Sequence, residues 1–268
     1  MTPSRPFAYS VISENLGKSG GVERREESDT SDLAQGGIVA TLPESSNDAT
    51  ATGVPLILAL ESSTPRASLA LLRGSATIFE GGFESDRNHN SLLFEPLQHA
   101  IEALGGEALD AVIIGTGPGS YSGTRVGIAA GQGVAMIHGC PAVWLSSLLA
   151  AGISPGVAIG DARRGSAWWT EVKASELPQP EMLPTPELAA KLAGVEEVFS
   201  FEETKSLALP KEVVVQTCWP TAVRLAEAWL ALPDEVKDQL TALPPQPAYL
   251  RPPHITEAKK GHPLLRKG

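Results

Sequence analysis

Two carboxylates stand where chemistry could be done. Glu61 follows the apolar run LILAL, and Asp161 follows VAIG. Two carboxylates facing one cleft could hold Mg²⁺ together with a phosphate. The competing role is local: each caps the turn that follows it and pairs with Arg66, or with Arg163 or Arg164. A third feature is GTGPGSYSG, Gly115 to Gly123, with four glycines and a proline in nine residues. Its Gly117, Gly119 and Ser120 could aim backbone N–H groups at a phosphate, so Glu61, Gly117, Gly119, Ser120 and Asp161 form a candidate nucleotide cleft. The generic motifs do not fit: Gly123 is followed by Thr124 and Arg125 rather than by Lys, and Ser122 stands where the dinucleotide fingerprint needs its third glycine. Without a phosphate-gripping Lys, the local roles are preferred for the carboxylates. His89, His99, His138, His254 and His262 include no pair four apart, the spacing that lets two helical histidines face one zinc ion, so no metal site is assigned.

The elements around these residues are readable. Ala111 to Ile114 is a short apolar strand, and the glycine loop leads from it into a helix capped by Thr124 and running to His138. Gly139 and Pro141 stop that helix. Gly123, Gly127 and Gly131 recur every four residues and form a smooth stripe. Several glycines in a helix cost about 1 kcal/mol each relative to Ala, and close approach by another backbone is the usual compensation. Arg125, just inside the helix start, is mildly disfavoured by the dipole and calls for a partner.

Upstream, Leu56–Leu60, Ala67–Leu72 and Ala76–Phe83 read as strands, followed by a helix around Leu92–Leu104 that Pro96 should kink or weaken. Ala142–Leu145 is a strand and Ser146–Ala151 a short helix. Strands followed by helix crossovers imply an α/β architecture of the ribonuclease H type. A second round begins at Val157, where GVAIGDARRGSAWWTEV repeats the pattern of LILALESSTPRASLALL. Helices 186–192 and 221–232 and strands 197–201 and 212–216 follow. Trp168 and Trp169 are adjacent on a strand, so one must point away from the other.

The expected organisation is an N-terminal extension over 1–53, too polar to bury a core, then lobes over 54–152 and 153–255, and a basic tail over 256–268. The net charge of -10 and pI near 5.0 argue against a stand-alone nucleic-acid binder. Two cysteines, Cys140 and Cys218, exclude a disulfide framework and suit a reducing cytoplasm. No apolar run approaches the length of a membrane span.

LALESSTPRASLAL, GTGPGSYSGTRVGIAAGQGVA, IGDARRGSAWWTEV and PAYLRPP, in this order, resemble the TsaB (YeaZ) family over about Leu56 to Pro253. The resemblance implies duplicated ribonuclease H-like lobes of the actin/Hsp70/sugar-kinase (ASKHA) superfamily. It implies a cytoplasmic, non-catalytic subunit of the machinery that makes N6-threonylcarbamoyladenosine next to the tRNA anticodon. Such a subunit dimerises with the TsaD transferase, is joined by the TsaE ATPase, and reaches tRNA only through the complex. ATP and metal are then expected on the partner subunits and no cofactor on this chain alone; a homodimer is also open. The implied partner surface lies on the first-lobe helices, here Leu93, Leu97, Gly123, Arg125, Gly127 and Gly131. Glu61 departs from the Asp that the family often carries. The competing class is an enzyme in its own right, an ATP-dependent phosphotransferase or a glycoprotease-like metallopeptidase of the same superfamily.

Overall fold

A computed structural model describes residues 53–85, 92–248 and 250. The expectations for residues 1–52, for His89, His254 and His262, and for the basic end lie outside them, as does most of the terminal YLR motif.

The first sheet is built from β1 (Leu56–Glu61), β2 (Arg66–Arg73), β3 (Ala76–Glu84), β4 (Ala111–Gly115) and β5 (Ala142–Leu145), in the order β3-β2-β1-β4-β5. The first three strands pair antiparallel; β4 and β5 continue in parallel. Helix α1 (Phe94–Ala103) connects β3 to β4, and α2 (Tyr121–His138) connects β4 to β5. The second sheet repeats the plan. It contains β6 (Gly156–Arg163), β7 (Ser166–Val172), β8 (Glu181–Pro184), β9 (Val198–Ser200) and β10 (Val215–Thr217), in the order β8-β7-β6-β9-β10 with the same parallel and antiparallel senses. This is the duplicated ribonuclease H-like α/β organisation expected. The copies differ at one crossover. Where α2 joins β4 to β5, the β9–β10 connection carries only a 3₁₀ turn, Lys205–Leu207.

Strand β1 is buried at all six positions because its sheet is covered on both faces. Leu56, Leu58 and Leu60 face a cluster with α1 and α2 residues such as Leu97, Ile128 and Val134. Ile57 and Ala59 face the other way, against Leu225, Ala226 and Trp229 of α4 (Ala222–Ala231) and Leu240 of α5 (Asp234–Thr241). Thus the helices that follow the second sheet in sequence cover the first. The second sheet packs one face on α3 (Thr185–Lys191) and the turn after it, through Leu188 and Leu192. Its other face meets the connection after β5, through Leu148 and Ala151.

Several local readings are corrected. Helix α2 starts at Tyr121, not after Thr124, because Ser120 is its N-cap and accepts the Gly123 N–H at 3.2 Å. Thr124 is buried inside the first turn. Pro96 does not kink α1: the helix begins at Phe94, so the proline sits in the first turn, where its missing N–H has no intrahelical acceptor to lose. Strand β8 and helix α5 were not anticipated. The α5 sequence is mostly polar, although Pro233 followed by Asp234 and Glu235 is a helix-start signal.

Because α4 seals the first sheet from the far end of the chain, Leu225→Ala should cost about 2–5 kcal/mol, read as a lower urea midpoint. An unchanged midpoint would contradict the two-sided burial of that sheet.

Candidate functional site

Glu61 ends β1 wholly buried. Its Oε1 accepts the Ser63 N–H at 2.7 Å, which caps the turn into β2. Among the described residues Oε2 has no hydrogen-bond partner. It fills the space a Cβ on Gly115 would need, beside the Ser147 hydroxyl but not in hydrogen-bonding geometry with it. Burial pushes the carboxyl pKa up, against smaller lowering effects of Ser147 and Ser63. Of the two local roles expected for Glu61, the cap is present and the pairing with Arg66 is not. Arg66 Nε instead lies 3.7 Å from Glu84, and its guanidinium stacks 5.0 Å over Trp219.

Asp161 shows both local roles. Its Oδ1 accepts the Arg163 N–H at 2.6 Å and its Oδ2 meets Arg163 Nη1 at 3.0 Å. Desolvation would raise its pKa, but the Arg163 amide, the Ser206 hydroxyl and the Arg163 guanidinium together hold it below the usual range. Glu202 accepts the Asp161 N–H at 2.8 Å. Among the described residues the two carboxylates share no partner, and no group of three metal-ligating side chains occurs.

The glycine loop directs its donors inward. The Thr116 N–H goes to Leu145 O at 3.0 Å and the Gly117 N–H to Ser147 Oγ at 2.9 Å. The Ser120 N–H goes to Ser63 O, and the Thr124 N–H to Ser120 O at 3.0 Å. Gly119 lies so close to the Ser63 carbonyl that a Cβ would collide with backbone. Gly117 has φ +90, a conformation that side chains resist. The Gly117 and Ser120 amides are thus used inside the fold, in keeping with the packing reading of the loop. These residues seat the loop on the Glu61 turn and cap α2.

The glycine stripe is corrected in the same way. Gly123, Gly127 and Gly131 are buried. A Cβ at Gly127 would strike Ser62, whose Oγ donates to Gly123 O at 2.9 Å. At Gly131 it would lie 2.6 Å from Ile114 Cδ1. The close approach is thus to the chain's own β1 turn and β4, not to another subunit. Leu93 and Leu97 are also core residues. Of the six interface candidates, Arg125 alone is exposed, with its guanidinium 4.2 Å over the Tyr121 ring.

The outward face of α2 is different. Tyr121, Arg125, Ala129, Gly133, Met136 and Ile137 share it. Met136 and Ile137 are 84% and 83% exposed. Among the described residues a Cβ at Gly133 would meet nothing within 4 Å, so no described contact requires that glycine. The four-residue spacing marks the side of the helix that packs within the chain. The discriminating signal is that Ile128, Val134 and Ala135 share the side of the stripe and claim it for the core. The tryptophans resolve similarly: Trp168 joins the second-lobe core, and Trp169 is half-buried with Lys191 Nζ 4.5 Å over its ring.

Comparison with known proteins places this arrangement. The family model for TsaD, tRNA N6-adenosine threonylcarbamoyltransferase, matches residues 82–175, which span α1, β4, α2, β5, β6 and β7. The tRNA threonylcarbamoyladenosine biosynthesis protein TsaB of Escherichia coli (strain K12) is 30% identical over 131 residues, 45% of this chain and 56% of that protein. The protein of the same description from Haemophilus influenzae is 35% identical over 97 residues, 35% of this chain and 40% of that protein. Over these residues the chain is similar to the TsaB/YeaZ family. Its match spans about half the length of these curated relatives. A crystal structure of an uncharacterized Pseudomonas aeruginosa protein with similarity to peptidase YEAZ superposes with a TM-score of 0.59 at 23% identity, covering 74% of this chain and 100% of that one. A second, YeaZ from Pseudomonas aeruginosa, gives a TM-score of 0.52 at 22% identity. These likenesses show the fold alone.

Two measurements check the site. Gly119→Ala, which opposes a side chain to the Ser63 carbonyl, should destabilise the fold by about 1–3 kcal/mol; a wild-type melting temperature would show that the loop does not rest on the Glu61 turn. For Glu61, the folded state holds its proton above the unfolded value of 4.5. It therefore binds more protons than the unfolded chain, and stability falls as pH rises through that window. Glu61→Gln keeps an acceptor for Ser63 and removes the charge. Its stability relative to wild type should rise between pH 4 and pH 8 in urea titrations, and parallel pH profiles would contradict the assignment.

Proposed function

We propose that this chain is an accessory, non-catalytic subunit of the cytoplasmic complex that forms N6-threonylcarbamoyladenosine next to the tRNA anticodon, and that it docks a TsaD-type transferase subunit through the outward face of α2. The observation that carries the docking face is the exposed run Ala129, Gly133, Met136 and Ile137, apolar and flat where a surface helix is ordinarily polar. An exposed helical glycine costs stability, and close approach by another chain is what it allows. The similarity to tRNA threonylcarbamoyladenosine biosynthesis proteins supports the pathway. The choice of occupant follows from residues 82–175, which match the transferase family and include both α1 and α2. A transferase of like build carries a corresponding helix pair, and two such faces can meet about a pseudo-twofold axis. In this reading, ATP and metal reside on the transferase and a TsaE-like ATPase, and tRNA meets this acidic chain through the assembly. Among the described residues no helix is long and apolar enough to cross a membrane.

The test uses the full chain with Met136→Glu, Ile137→Glu or Gly133→Leu and the TsaD-type subunit of the same cell. Each buried apolar side chain contributes about 1.5–3 kcal/mol, so each Glu variant should weaken binding by roughly 10–100-fold with an unchanged circular dichroism spectrum. The modified adenosine in tRNA, read by mass spectrometry, should fall in parallel. Unchanged affinity would place the docking face elsewhere. Loss of a homodimer by light scattering, with transferase binding intact, would assign the face to a second copy of this chain.

A further inference from the structure

Among the described residues, four carry sulfur, and the fold treats them unequally. Cys218 is buried, and that burial pushes its thiol pKa up to about 11, against a lowering by Arg224. Cys140, half-buried just past the end of α2, is also raised, by burial above all and by the Asp110 charge, against its backbone hydrogen bond. Oxidants attack the thiolate, so both cysteines are kept in the slow form. A thioether has no proton to lose, and its reactivity follows its exposure. Met182, on the edge strand β8 of the second sheet, is 46% exposed. Met136 on α2 is 84% exposed, the most open sulfur of the four.

Met136 also stands in the outward face of α2, beside Ile137 and one turn from Gly133 and Gln132. Its unbranched, polarizable side chain is suited to moulding against an apolar partner. Hydrogen peroxide can transfer one oxygen atom to that sulfur. The O–O bond breaks, an S–O bond forms, the sulfur gives up two electrons, and the other peroxide oxygen leaves as water. The sulfoxide is polar and accepts hydrogen bonds, so pressing it against an apolar surface leaves an unpaired dipole. Two thiols reverse the step: they become a disulfide, and the added oxygen leaves as water. Resting on the docking face proposed above, we infer that Met136 is a reversible oxidation site that switches docking of the partner subunit, on as the thioether and off as the sulfoxide. Docking covers the sulfur, so the free chain is the form that oxidises.

The test treats the full chain with hydrogen peroxide, removes the peroxide with catalase, and titrates the TsaD-type subunit calorimetrically. Sulfoxide at Met136 and Met182 is quantified by peptide mass spectrometry, and each chain is compared with its own untreated form. Oxidised wild type and Met182→Leu should bind at least tenfold more weakly than when reduced, and methionine sulfoxide reductase with a dithiol should restore them. Met136→Leu should show no change on treatment. In the preformed complex, Met136 oxidation should slow relative to Met182. Unchanged affinity of wild type with sulfoxide present at Met136 would overturn the inference, as would an equal loss in Met136→Leu. Untreated Met136→Glu separates the two levels. If it binds as wild type does, the docking face falls and this inference with it; if it binds weakly while oxidised wild type binds tightly, only this inference falls.

Discussion

The seat of α2 on the β1 turn and β4 is the contact from which the rest of the first lobe follows. The helix backbone rests there directly on side chains of the sheet and its turn, since Gly127 lies on Ser62 and Gly131 on Ile114. The approach is locked by polar bonds that a wider spacing would break: Ser62 Oγ reaches Gly123 O, and the Ser120 N–H reaches Ser63 O. With the helix held this low, the 115–119 loop lies against the Glu61 turn. Its amides turn back on Leu145, Ser63 and Ser147, and the glycines that look like a phosphate cradle become spacers. The same seating decides which face of α2 remains for another molecule.

Much of the architecture was legible because burial writes it into composition. A strand covered on both faces must be apolar throughout, and LILAL and AVIIG are. The repeat of an apolar strand, an acidic residue, an Arg-bearing turn and a second strand announced the duplication correctly. The candidate site was legible in location and not in meaning. Periodicity showed that Gly123, Gly127 and Gly131 share one side of a helix, but it cannot say whether the neighbour on that side is the chain itself. Only the apolar residues on the same side, Ile128, Val134 and Ala135, carry that information. For Glu61, residue type suggested a ligand or an ion pair; full burial makes it a capping group that resists ionisation. Strand β8 was missed because four residues ending in proline give no period to read, and α5 because its apolar positions are sparse.

The lobes are not independent halves. Helices α4 and α5 follow the second sheet in sequence and complete the core of the first. The Ala222 N–H at the start of α4 is accepted by Ser68 Oγ of β2 at 2.8 Å, so the crossing is pinned where it enters. Arg224 in the next turn donates to Ala151 O at 3.3 Å, fixing α4 to the connection between the sheets as well. Interlobe geometry is thereby built from the same residues that shield β1 from water.

The duplication is incomplete at one crossover, with consequences for how the molecule can associate. The 3₁₀ turn between β9 and β10 replaces what would be the counterpart of α2 in the second lobe. An even duplication would carry two sticky faces and could link end to end without limit. If the outward face of α2 is the docking face proposed above, the described residues carry a single such valence, enough to complete a pair.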